Sequence, residues 1–148
     1  MKKGTLKITE LAFLAVILLL TAGCPQTDSG KTKVGISKFV AHPALDAIEQ
    51  GIQDGLALAG YTDVEYDLQN ANADGNTAAS IANKFKASKV DIALGIATPT
   101  AIALANGIKD IPVLYVAVTE PISAGLVSSY AAGEGNVTGV SEIGRAHV

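Results

Sequence analysis

Between residues 33 and 141 the apolar positions change period several times, and each change marks an element. Lys33-Val-Gly-Ile-Ser-Lys-Phe-Val40 is a short β-rich run. From Pro43 onward Leu45, Ile48, Ile52 and Leu56 recur at spacings of three and four, which is one face of an amphipathic helix. Gly60 supplies its stop. Residues 64–68, Val-Glu-Tyr-Asp-Leu, alternate as a half-buried strand. Asp74 and Asn76 are candidate caps of a second helix that turns Ala78, Ile81, Ala82 and Phe85 inward. Residues 90–94 read as a third strand. Thr98-Pro99 opens a helix running to about Gly107, with Thr98 as cap and Pro99 in the first turn. Residues 111–118 form a fourth strand, and Pro121 restarts a short helix.

Strands three and four are nearly continuous apolar runs, as a parallel sheet covered on both faces requires. Strands alternating with helices at this spacing predict an α/β fold, a doubly wound parallel sheet. In such sheets ligands bind beyond the C-terminal strand ends, where helix N-termini present free N–H groups. That rule selects three loops: residues 38–42, 97–100 and 119–121.

Composition changes the picture at the two ends. The 148 residues are 49% hydrophobic with a mean hydropathy of +0.34, but much of that excess sits in residues 11–20, Leu-Ala-Phe-Leu-Ala-Val-Ile-Leu-Leu-Leu. Lys2, Lys3 and Lys7 precede this block, and Thr21-Ala-Gly-Cys24 follows it. The block is shorter than the roughly 20 apolar residues that span a bilayer and has the charge and small-residue flanks of a secretory signal. Residues 1–24 resemble a bacterial lipoprotein signal, which implies lipidation of Cys24. The lipobox departs from the usual pattern, with Thr21 where Leu is typical and Leu20 one place earlier. The alternative is an unmodified Cys24 in an uncleaved anchor. As the only cysteine, Cys24 has no disulfide partner in the chain, and no Cys/His cluster suggests a metal site. Residues 25–32 read as a polar tether.

At the other end, Ile143-Gly-Arg-Ala-His-Val148 resembles one reading frame of a short-read sequencing adapter, the alternative being an ordinary terminus. The preceding Asn136-Val-Thr-Gly-Val-Ser-Glu142 reads like loop and strand inside a longer protein. The expected organisation is therefore signal 1–24, tether 25–32, an incomplete lobe 33–142 and a foreign 143–148. Residues 24–142 carry 7 Lys against 13 Asp and Glu, a net charge of −6. That acidity disfavours nucleic-acid partners.

Enzyme chemistry finds little support. With His147 set aside, His42 is the one histidine, and no Ser or Cys has a second partner for nucleophilic catalysis. The chain lacks GxSxG, GxxxxGK[ST] and a GxGxxG after a strand, and neither Asp67 nor Asp91 sits in an acidic cluster. No cofactor is expected. Binding fares better. Thr98 and Thr100 put hydroxyls beside free helix N–H groups, which can hold a carboxylate without a charged side chain. Thr119 and Glu120 follow strand four, where Glu120 could accept hydrogen bonds from an ammonium group. Ser37, Phe39 and His42 close the site from the first loop. Each has a structural alternative. Thr98 is equally a cap, Thr100 a solvent-facing residue, and Glu120 a helix-dipole partner. Phe39 and Tyr115 are of types more often found in the core than as ligand platforms, and His42 before Pro43 is more often a structural loop residue.

Val34-Gly-Ile-Ser-Lys-Phe-Val-Ala-His-Pro43, Gly95-Ile-Ala-Thr-Pro-Thr-Ala101, Asp110-Ile-Pro-Val113, Ala117-Val-Thr-Glu-Pro121 and Asn136-Val-Thr-Gly-Val140 together resemble the ABC-transporter substrate-binding lipoproteins of the tryptophan/tyrosine-uptake type. The resemblance implies a type I periplasmic binding protein of two α/β lobes, this chain being the first. It implies that the loops at residues 97–100 and 117–121 face the cleft. Glu120 stands where the family usually has Asp. The implied function is capture of an amino-acid-like solute outside the membrane, lobe closure and delivery to the permease and ATPase subunits of an importer. The resemblance further implies that the protein is exported and lipid-anchored, facing the periplasm or cell exterior. A sensory lipoprotein of the same fold, reporting to a membrane kinase, is the alternative. An exported enzyme of flavodoxin-like architecture would need catalytic residues from elsewhere. A LacI-like regulator would need a DNA-binding segment where the signal lies. A single lobe is expected to fold poorly alone, because in this fold the chain returns to complete the first sheet.

Overall fold

A computed structural model describes residues 30–142. The signal-like segment, Cys24 and most of the tether lie outside the described residues, as does the segment 143–148. Five strands and three helices alternate: β1 (Thr32–Lys38), α1 (Pro43–Leu58), β2 (Val64–Asn70), α2 (Gly75–Ser88), β3 (Ile92–Ile96), α3 (Thr98–Gly107), β4 (Val113–Val118) and β5 (Val137–Ser141). The strands form one sheet in the order β2-β1-β3-β4-β5, every neighbouring pair parallel. This is the expected doubly wound α/β sheet. Its order reverses between β1 and β3, the switch point beside which ligands bind in sheets of this kind.

The register sorts side chains by face. On one face Gly35, Ala93, Val113, Tyr115 and Val137 meet α2 and α3 in a core that includes Ala78, Ile81, Ala82, Phe85, Ala101, Leu104 and Ile108. Gly35 is needed here, because a Cβ would lie 2.9 Å from the Phe85 ring. On the other face Val34, Ile36, Leu94 and Ile96 are covered by α1 through Leu45, Ile48, Ile52 and Leu56. The expected inward stripe of α1 is present, yet no residue of that helix is fully buried. A groove of about 530 Å³ runs beside it, floored by Val34, Ile92, Leu94 and Leu114.

Helix boundaries follow local chemistry. The carboxylate of Asp74 accepts from the Thr77 N–H at 2.6 Å and caps α2, so of the two expected caps Asp74 takes the role. Gly60, at φ +92°, follows the end of α1, and the Tyr61 N–H closes on the Leu56 carbonyl at 3.0 Å. Three expectations need correction. β3 and β4 each begin two residues later than their apolar runs suggest, at Ile92 and Val113. No helix restarts at Pro121. Residues 121–125 make a single turn, in which the Ala124 N–H bonds the Glu120 carbonyl, and Gly125 at φ +69° ends it.

Candidate ligand-binding site

Four loops leave the sheet at its C-terminal edge, one more than the strand rule selected. The additional loop joins β2 to α2. It is sewn to the first, the Ala71 N–H donating to the Lys38 carbonyl at 2.9 Å and the Ala73 N–H to the Phe39 carbonyl at 2.7 Å. Asn72 and Ala73 both have left-handed backbone, at φ +52° and +60°. Ala97 after β3 and Ala117 at the end of β4 join them, at φ +78° and +56°. Four of the five described non-glycine residues with positive φ thus sit along one edge of the sheet. Such strain costs of order 1–3 kcal/mol per residue and persists where packing over-determines it, commonly at ligand clamps.

The loop from β3 into α3 shows what enforces it. A Cβ on Gly95 would lie 2.7 Å from the backbone N and Cα of Ala101, so glycine lets the first turn of α3 sit directly on the strand. The chain must then turn sharply at Ala97, whose N–H bonds the Val116 carbonyl at 3.0 Å. Here the structure corrects the expected cap. Ala97, not Thr98, is the N-cap, and no side chain caps the helix. Pro99 lacks an N–H, and the Thr98 and Thr100 amides precede the first intrahelical donor, the Ala101 N–H, which bonds the Ala97 carbonyl at 3.1 Å. The positive end of the α3 dipole is left without a side-chain partner.

Thr100 does not face solvent. It is 0% exposed, and its hydroxyl shares one proton between the carbonyls of Ile96 at 2.7 Å and Ala97 at 3.0 Å. It therefore braces the strained turn from beneath. Ser37 is 1% exposed, pairs in register with Gly95 at the strand edge, and has no hydrogen-bond partner for Oγ. A buried hydroxyl without a partner is costly unless something else supplies one. Phe39 is half-buried and packs against the core of the α2/α3 face. His42 is exposed and caps α1, its Nδ1 accepting from the Ala44 N–H at 3.2 Å. Tyr115 is 5% exposed and belongs to the core.

Thr119 and Glu120 are exposed at the end of β4. Glu120 Oε2 accepts from the hydroxyl of Tyr130 at 2.9 Å. That contact holds the phenol above its usual pKa. Sequence reasoning missed Tyr130, since ten residues with no element of their own separate it from Glu120. It also missed Lys38, whose ammonium reaches Asp46 at 2.7 Å and Glu49 at 3.0 Å and fixes the start of α1 to the end of β1. The two carboxylates hold that ammonium above the usual lysine pKa. Asp67 and Asp91 lie away from this edge, engaged by the Lys84 ammonium and the Lys33 N–H respectively. Among the described residues no group of three or more His, Cys, Asp or Glu could hold a metal ion.

An uncapped helix end, a strained strand edge and an exposed carboxylate thus lie together at the C-terminal end of the sheet. Residues 33–147 match the family described as ABC transporter substrate binding protein. The chain belongs to that family. A curated relative, the tyrosine-binding protein of Clostridioides difficile, is 46% identical over 92% of this chain. A crystal structure from Streptococcus pneumonia in complex with L-Trp is 45% identical, with a TM-score of 0.72 over 75% of this chain. A ligand-free, open substrate binding protein with adhesive properties from Clostridium difficile is 42% identical, with a TM-score of 0.71 over 74%. The chain spans 44% of the curated relative and 38% of each of these two solved chains. The described residues form a single lobe of the fold. These relatives are binding proteins.

Proposed function

We propose that the chain is the first lobe of an exported, lipid-anchored solute-binding protein. In this reading it captures an amino-acid-like solute, aromatic amino acids foremost, and hands it to the permease and ATPase of an ABC importer. The observation that carries the ligand class is the uncapped N-terminus of α3. Thr98 and Thr100 offer amides to a carboxylate there, and the orphaned Ser37 hydroxyl lies on the neighbouring strand. Glu120, exposed across β4, suits the ammonium end. Phe39 and Thr119 complete the edge, with Thr100 and His42 acting through the backbone they brace. The relatives named for tyrosine and solved with L-Trp support the aromatic preference. The signal-like residues 1–24 with Cys24 support export and anchoring, and residues 25–32 the tether.

One lobe holds half of a cleft. Closure by a second lobe would desolvate the ligand's charged ends and strengthen both contacts. The test is calorimetry on the product of the complete gene with a panel of aromatic and aliphatic amino acids. Binding of at least one aromatic amino acid is expected. Silence across the whole panel would sink the proposal.

A further inference from the structure

The Tyr130–Glu120 pair is poorly explained as a stabilising contact. Tyr130 is 61% exposed and Glu120 is exposed, and a hydrogen bond between exposed groups adds little to folding because water competes for both partners. Nor is the pair accidental to the path of the chain. Between the two residues Pro121, Leu126 and Val127 are buried. These anchors bring the chain back to Glu120, so that the Tyr130 hydroxyl lies 2.9 Å from Oε2. The bond does two things at the C-terminal edge of the sheet. It restricts an otherwise mobile glutamate, one carbon longer than aspartate, to one arrangement, and it leaves Oε1 free. It also pins an exposed aromatic ring at its hydroxyl end, so that little side-chain entropy remains to be lost on contact with a ligand.

We propose that Tyr130 is a positioning residue of the ligand site, holding the Glu120 carboxylate where it meets the ligand's ammonium group. Tyr130 thereby sets the preference for solutes that carry a charged amino group. The proposal rests on the amino-acid reading above, and it predicts a pattern that a structural role would not produce.

The product of the complete gene is titrated with L-tryptophan and L-tyrosine, and with the same molecules lacking the amino group, 3-(indol-3-yl)propionate and 3-(4-hydroxyphenyl)propionate. Tyr130→Phe keeps the ring and removes the donor. It is expected to weaken amino-acid binding about two- to tenfold, the weight of one hydrogen bond, and to leave the affinity of the deaminated acids unchanged. Glu120→Gln is expected to weaken amino-acid binding further, and adding Tyr130→Phe to it to cost nothing more. Equal weakening of amino acids and deaminated acids by Tyr130→Phe, or no effect on either, overturns the proposal while leaving the amino-acid reading intact. Failure of the unaltered protein to bind either amino acid overturns the reading, and the proposal with it.

Discussion

The two faces of the sheet are built from equally apolar strands but finished differently. Over α2 and α3, Phe85, Leu104, Ile108 and Val113 are fully buried. Over α1 the helix packs only across the middle of the sheet and buries none of its own residues completely. Leu114 and Val116 of β4 are only partly covered there, and Val140 of β5 is 68% exposed. An apolar β4 with one sealed face is a strand written for two covered faces. The difference teaches where this lobe's stability resides. The α2/α3 face supplies the core and seats the uncapped start of α3, while the α1 face is the less covered side.

The largest effect that could break this comparison is the behaviour of residues 33–142 in isolation. They are expected to melt broadly and with low stability, followed by circular dichroism, because an exposed apolar strip is left uncompensated. A sharp two-state transition of high stability would show that the α1 face is already sufficient. Within the complete gene product, Phe85→Ala should cost about 3–5 kcal/mol in urea unfolding, as for other fully buried phenylalanines. A cost under 1 kcal/mol would remove the α2/α3 face from its leading position. Gly95→Ala should destabilise by about 1–3 kcal/mol, since the added methyl meets the backbone of Ala101. It should also weaken ligand binding by displacing the start of α3, so calorimetry on the same variant separates the two losses.

Smaller effects come from the polar anchors, one for each face. On the α1 face, the Lys38 ammonium has its pKa raised by Asp46 and then Glu49. A raised folded-state pKa gives a contribution fully present below the ordinary lysine value and lost as pH rises through the folded value. Stability should therefore fall at strongly alkaline pH, and Lys38→Met should abolish that part of the slope. On the α2/α3 face, the Thr77 hydrogen bond lowers the pKa of Asp74. Its contribution is present above the ordinary carboxylate value and is lost as pH falls through the folded value. A modest acid-side loss of α2 protection, read by hydrogen exchange and missing in Asp74→Ala, is the expected signature.

Much of this was legible in the residues. The spacing of Leu45, Ile48, Ile52 and Leu56, the cap at Asp74 and the stop at Gly60 each rest on chemistry within a few positions, and each is found where expected. The loops at residues 38–42, 97–100 and 119–121 were legible for a similar reason, since strand ends follow from local pattern. Other features were not. Thr98 looks like a cap because threonine caps helices, but the close seat of α3 on Gly95 moves that position to Ala97 and turns Thr100 inward. Pro121 looks like a helix start, yet Gly125 closes the turn before a second can form. The bond between Tyr130 and Glu120 depends on how buried residues of the intervening segment fold back, which no local rule supplies.

The sequence by itself determined the alternation of strands and helices, the apolar stripe of each and the family to which the chain belongs. The alternation and the stripes follow from the direction of successive side chains along the backbone, and the family from the resemblance of its motifs, which the family match over residues 33–147 bears out. Only the tertiary structure decided the strand order, which face of the sheet is sealed, and which backbone positions carry strain. Those outcomes arise from contacts between residues far apart in the chain, where the fit of Gly95 to Ala101 or Gly35 to Phe85 outweighs any preference a residue has alone.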